Sequence, residues 1–133
     1  MTRFAVDALV VARLLQDGLS VPPAHSLVGP AVLRSDVLAL LYRSERAGEL
    51  DPARRRALLD ALAGLRIRLL GDRVSRATAW RIASDLEWDD PRPAEYLAVA
   101  TLQADALVAL DPVLVEASTG LVPTASVDEL LRP

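Results

Sequence analysis

Three aspartates occupy positions where a carboxylate can do chemistry. Asp7 directly follows the apolar run RFAV, Asp111 directly follows LVAL, and Asp36 falls within PAVLRSDVLALL, on or beside the apolar stripe of Leu33, Val37, Leu40 and Leu41. Oxygen donors of this kind suit a hard divalent cation, Mg²⁺ or Mn²⁺. Each acid also has a plainer role. An aspartate at a strand-to-helix junction caps the helix that follows, and an inward acid on a helix is satisfied by an arginine as well as by a cation. The segment DLEWDDPRPAEYLAVATLQADALVALD, residues 85 to 111, adds Asp85, Glu87, Asp89, Asp90, Glu95 and Asp105. Of these, Asp85, Glu87 and Asp105 read as solvated surface.

The acids converge only if the right elements carry them. RFAV predicts a short buried strand and ALVVARLLQDG a helix closed by Gly18. SLVG reads as a second strand, and Pro30 as the first turn of a long helix running through AVLRSDVLALLYRSERAG to Gly48. Asp51 caps a further helix with Pro52 at its first position and PARRRALLDALAGL as its body. RIRLLG then alternates like a strand, VSRATAWRIASDLEW is helical, and PAEYLAVATLQA is helical again after the DDPRP break. DALVAL reads as a central parallel strand that delivers Asp111. LVPT reads as an edge strand, and Ser126 with Glu129 as a capping box opening SVDELLR. This alternation predicts a single domain spanning 1–133, a three-layer α/β/α sandwich with a mostly parallel sheet. Ligands of such sheets bind at the carboxyl ends of the strands, where Asp7 and Asp111 meet if their strands are neighbours.

Composition narrows the chemistry. The chain has 133 residues, enough for one domain with a core of its own. At 52% apolar residues it is rich for a small monomer, so a homodimer or an obligate partner is expected. The absence of cysteine excludes disulfides and thiolate metal sites, and a lone histidine, His25, offers little to a zinc site or a Ser-His-Asp triad. A net charge of −3 argues against coating nucleic acid by bulk charge. All 15 cationic side chains are arginines, a bias that codon usage explains. Arg34, Arg43, Arg46 and the Arg54 to Arg56 cluster are candidates for steering a phosphate backbone, while Trp80, Trp88, Tyr42 and Tyr96 read as packing residues. Asp7 and Arg13 interrupt the apolar N-terminal stretch, against a signal peptide or a membrane span, and a cytoplasmic protein is expected.

RFAVDALVVARLL resembles the opening of PIN domains, particularly VapC-type toxins, in which a strand ends in an Asp followed by a helix. VGPAVLRSDVLALLYRSERAGELD is similar to their second motif, a Pro followed six residues later by an acid within a long helix and a trailing Gly. PAEYLAVATLQADALVALDPVL resembles their last segment, where a Tyr-bearing helix leads into a strand closed by an Asp. The likeness covers nearly the whole chain in order, and its last segment is the most specific part. The chain departs from the family pattern at three positions. Asp36 stands where Glu is usual, Pro93 where an Asp precedes the Tyr by three residues, and Ala109 where Thr or Ser precedes the final Asp by two. Glu95 is the nearest substitute for the missing acid, with Asp90 as the alternative.

The resemblance implies a metal-dependent endoribonuclease, the toxin of a toxin–antitoxin pair. Asp7, Asp36 and Asp111 would be catalytic, and together with Glu95 they would hold Mg²⁺ or Mn²⁺. The cation would lower the pKa of a bound water and offset charge on the transition state. RNA as substrate, a VapB-like antitoxin and a homodimer are implied as partners, with no membrane. A degenerate, weak or inactive PIN domain that serves as a protein-interaction module is the alternative. A receiver-like phospho-acceptor domain fits less well, because the chain has no lysine.

Overall fold

The computed structural model describes Met1–Pro133. Strand β1 (Thr2–Val6) leads through Asp7 into helix α1 (Ala8–Gln16), and strand β2 (His25–Pro30) precedes helix α2 (Leu33–Arg46). A 3-10 turn (Pro52–Arg54) opens helix α3 (Arg55–Gly64), followed by strand β3 (Arg68–Leu70) and the helices α4 (Arg73–Asp85) and α5 (Arg92–Gln103). Strand β4 (Ala106–Val108) and helices α6 (Pro112–Ser118) and α7 (Val127–Leu131) complete the chain. The sheet is wholly parallel in the order β3-β2-β1-β4, within a three-layer α/β/α sandwich. Thr2 pairs with His25, Val6 with Val108, and Val28 with Arg68. No helix is long and apolar enough to cross a membrane.

The apolar periodicity explains this arrangement. Phe4, Ala5 and Val6 are successive and all buried, as expected of a strand covered on both faces. Val10, Val11 and Leu14 form the inward stripe of α1, and Leu33, Val37 and Leu41 that of α2. Helix α5 lies across β1 and β2, and α4 stacks on α5. Residues at positive φ end the first two helices: Gly18 (φ 63) follows α1 and Gly48 (φ 78) follows α2.

Three expectations are corrected. β4 is not a central strand, because it lies at the end of the four-strand order beside β1. Its run of apolar residues reflects burial on both faces plus a covered edge: the Leu107 N–H donates to the Pro123 carbonyl and the Ala125 N–H to the Leu107 carbonyl, both at 2.9 Å. LVPT accordingly contributes a single parallel bridge, Leu107 to Thr124, rather than a strand. Pro30 closes β2 opposite Leu70 instead of opening α2. The pairing of β2 with β1 ends at Val28, before Pro30, and the next amide, Ala31, supplies the hydrogen bond to Leu70 at 2.8 Å. Helix α6 was not anticipated, although Asp111-Pro112 repeats the cap-and-proline opening of Asp51-Pro52.

Gly71 joins β3 to the Asp72 cap of α4. A Cβ added there would lie 2.8 Å from the Ala31 Cβ, an atom fixed to the backbone that cannot rotate aside. Gly71→Ala is therefore expected to lower stability by about 1–3 kcal/mol, the usual cost of overpacking. Denaturant midpoints check this, and an unchanged midpoint would show that the β2–α2 and β3–α4 junctions separate freely.

Candidate functional site

The parallel sheet places the ends of β1 and β4 side by side, so Asp7 and Asp111 share one rim. Helix α2 brings Asp36 to the same place, and α5 contributes Arg92, Pro93 and Tyr96. Together with Asp90 and Arg43 these side chains line a cleft of about 400 Å³. His25 pairs with Thr2 at the opposite end of the sheet, where its Nε2 donates to the Arg132 carbonyl.

Asp7 is the structural centre of the cleft. It is almost wholly buried, at 1% exposure. Its Oδ1 accepts from the Val10 N–H at 2.8 Å, which caps α1. Its Oδ2 accepts from the Leu110 and Asp111 N–H groups at 2.9 and 2.8 Å, which ties the end of β4 to the end of β1. Burial pushes the Asp7 carboxyl above its ordinary pKa; the three backbone hydrogen bonds oppose the rise, and the charge of Asp111 adds to it. Capping and cleft-lining thus coincide in one side chain.

Asp111 is likewise both a cap and a cleft residue. Its Oδ1 accepts from the Val113 N–H at 2.9 Å at the start of α6, and its Oδ2 accepts nothing. Asp36 is half-buried, and no arginine pairs with it. The Tyr96 hydroxyl donates to Asp36 Oδ2 at 2.7 Å, while Oδ1 accepts nothing. Burial, and then the hydrogen bond that the Asp36 carboxylate accepts, hold the Tyr96 hydroxyl far above its ordinary pKa.

Of the two substitutes for the missing acid, Asp90 lines the cleft and Glu95 does not. Asp90 is gripped by Arg92, whose Nη2 lies 2.8 Å from Oδ2, and this contact holds the Asp90 carboxyl below its usual range. Glu95 is half-buried near Asp36, and burial followed by that neighbour's charge raises its pKa. The molecule has three ion pairs: Arg13 with Asp17, Arg55 with Glu45, and Arg92 with Asp90. None involves Asp7, Asp36 or Asp111.

The donor set is chemically that of a hard cation, with oxygen ligands only. Asp36 Oδ1 and Asp111 Oδ2 are free to coordinate, and Asp7 keeps one lone pair on Oδ1. No three acidic or imidazole groups stand close enough to enclose an ion. The fit is to a hydrated cation held by one or two carboxylates, the habit of Mg²⁺. Among the arginines considered for phosphate steering, only Arg43 lines the cleft. Arg34 donates to the Leu62 and Leu65 carbonyls, Arg54 to that of Gln16, and Arg55 pairs with Glu45.

Tyr96 was missed as a site residue. The available signal was a tyrosine within an apolar helix, whose hydroxyl requires an acceptor once buried. Two of the aromatic assignments are also corrected: Trp80 is 76% exposed and Tyr42 60%, so neither is a packing residue. Tyr96 is buried, and Trp88 packs against the core as expected.

The Tyr96–Asp36 bond predicts an alkaline limit to stability. The fold keeps the Tyr96 proton, whereas the unfolded chain releases it near pH 10.0. Above that pH the folded state binds more protons than the unfolded state, so stability falls as pH rises. The difference in unfolding free energy between wild type and Tyr96→Phe should therefore shrink from about pH 10 upward; a constant difference across that range would refute it. No family model and no curated protein sequence matches the chain.

Proposed function

We propose that this protein is a divalent-metal-dependent endoribonuclease of the PIN kind, acting as the toxin of a VapBC-type pair. The observation that supports this reading is the gathering of Asp7, Asp36 and Asp111 on one cleft at the carboxyl edge of a parallel sheet, with no arginine paired to any of them. Like charges placed together invite a cation. Asp36 and Asp111 would hold it through their free oxygens, with water filling the rest of its shell. Bound there, Mg²⁺ or Mn²⁺ would supply Lewis-acid activation of water and offset charge at the scissile phosphate. Tyr96 fixes the Asp36 carboxylate, and Asp7 fixes the loop that carries Asp111. Arg43 gives the rim a positive charge for a phosphate backbone, while the charge of Arg92 is matched by Asp90. The exposed apolar side chains Leu38, Tyr42 and Leu59 on α2 and α3 support a partner, either an antitoxin or a second copy.

A second reading is a PIN-like interaction module without catalysis. It is favoured by one specific observation, the capture of three of the four Asp7 lone pairs by backbone amides. Calorimetric titration with Mn²⁺ and a cleavage assay on single-stranded RNA separate the two. The nuclease reading expects metal binding and metal-dependent cleavage. Failure of both at millimolar metal selects the module.

A further inference from the structure

Helix α4 buries Ser75, Ala79, Ile82 and Ala83 and turns its opposite face to solvent. That face carries Trp80, 76% exposed, and the exposed arginines Arg73, Arg76 and Arg81. Arg73 and Trp80 are seven residues apart and stack along one stripe, with Arg76 and Arg81 flanking it. None of the three guanidinium groups donates a hydrogen bond or joins an ion pair, and no acid lies between Arg73 and Ser84, although Asp72, the cap of the helix, lies within range of the Arg76 charge. In a chain of net charge −3, this is a local cationic surface around a bare indole. Arg76 is close enough to Glu95 for its charge to oppose the rise in that acid's pKa. The face therefore approaches the first turn of α5, whose Arg92, Pro93 and Tyr96 line the acid cleft.

We propose that the outer face of α4 is a docking surface for single-stranded RNA, with the Trp80 indole stacking on an unpaired base and Arg73, Arg76 and Arg81 contacting phosphates. Charge complementarity carries the choice of occupant. A polyanion meets two guanidinium groups without an acid, Arg73 and Arg81, and a third, Arg76, that shares its charge with Asp72 and Glu95, and a flat exposed ring accepts any base regardless of sequence. A second copy docked by a two-fold axis would set the same arginines against each other. That the strand is RNA rests on the nuclease reading; the surface itself does not.

Anisotropy of a labelled oligouridine of about 12 nucleotides, within the usual single-strand site sizes, tests this in EDTA, where neither metal nor cleavage contributes. The chain of 133 residues should bind, with affinity falling steeply as salt rises. Trp80→Ala should weaken binding at least about fivefold with an unchanged circular dichroism spectrum, and Trp80→Phe should restore most of it. Arg73→Gln and Arg81→Gln should each reduce the salt slope by about 0.7, the value for one phosphate of a single strand. The proposal is overturned if the wild type does not bind, if Trp80→Ala binds equally well, if duplex RNA binds as tightly as the single strand, or if Trp80→Ala instead disperses a dimer. The two readings fail separately. Binding that depends on Trp80 without cleavage in Mn²⁺ removes the nuclease and keeps the surface, whereas cleavage with Trp80→Ala binding unchanged does the reverse.

Discussion

Replacing Asp7 with alanine should lower the stability of the fold by about 3 kcal/mol, a large part of what a domain of this size possesses. The estimate follows from what the carboxylate holds. Its Oδ1 caps α1 through Val10, and removing such a cap costs about 1 kcal/mol. Its Oδ2 takes the Leu110 and Asp111 amides, and each amide left without a partner costs about 1–3 kcal/mol. Removing a buried charge returns part of that loss, since burial already raises the Asp7 pKa. Asp7→Asn keeps the shape, but its amide nitrogen must face a backbone N–H, so it should lose about 1–2 kcal/mol. Urea midpoints read both values. A shift equivalent to less than about 0.5 kcal/mol for the alanine variant would mean that these hydrogen bonds are dispensable. Activity lost on changing Asp7 is therefore poor evidence for a metal ligand.

Asp36 offers the cleaner test, and here the largest catalytic effect is expected. In Asp36→Asn the amide oxygen can still accept from the Tyr96 hydroxyl, so stability should change by no more than about 0.5 kcal/mol. The charge that a hard cation requires is gone. Under the nuclease reading Mn²⁺ binding should become undetectable, and RNA cleavage should fall on the order of a hundredfold or more, since even groups one shell removed from a metal are worth 10- to 100-fold. Pro93→Asp acts in the opposite direction. It adds a carboxylate to the cleft wall in the first turn of α5, where negative charge is also favourable to the helix. Mn²⁺ affinity should rise by about tenfold, because affinity in oxygen sites follows the number of charged ligands. If the wild type and Pro93→Asp both neither bind Mn²⁺ nor cleave RNA, the interaction-module reading replaces the nuclease.

The elements that position the acids were legible in the sequence because local signals mark them. Asp7 and Asp111 each end an apolar run and open a helix, and each proves to be a cap that also faces the cleft. What the sequence hid was long-range. Asp36 plainly needed a partner, but the donor lies 60 residues away on α5 and shares no local pattern with it. The place of β4 in the sheet was misjudged because a covered edge strand and a central strand bury the same residues. The exposure of Trp80 was within reach: on a helix whose buried positions are 75, 79, 82 and 83, residue 80 points away from the core.

The pairing of β1 also fixes when the cleft can exist during synthesis. β2 emerges shortly after β1, so one side of β1 and the α1 cap can form within a local β–α–β unit. The amides that complete Asp7 come from Leu110 and Asp111, 103 and 104 residues later. A chain still emerging from the ribosome therefore holds Asp7 with only the Val10 donor and lacks Asp111 altogether. Whatever the cleft binds, it cannot bind until synthesis has passed Asp111.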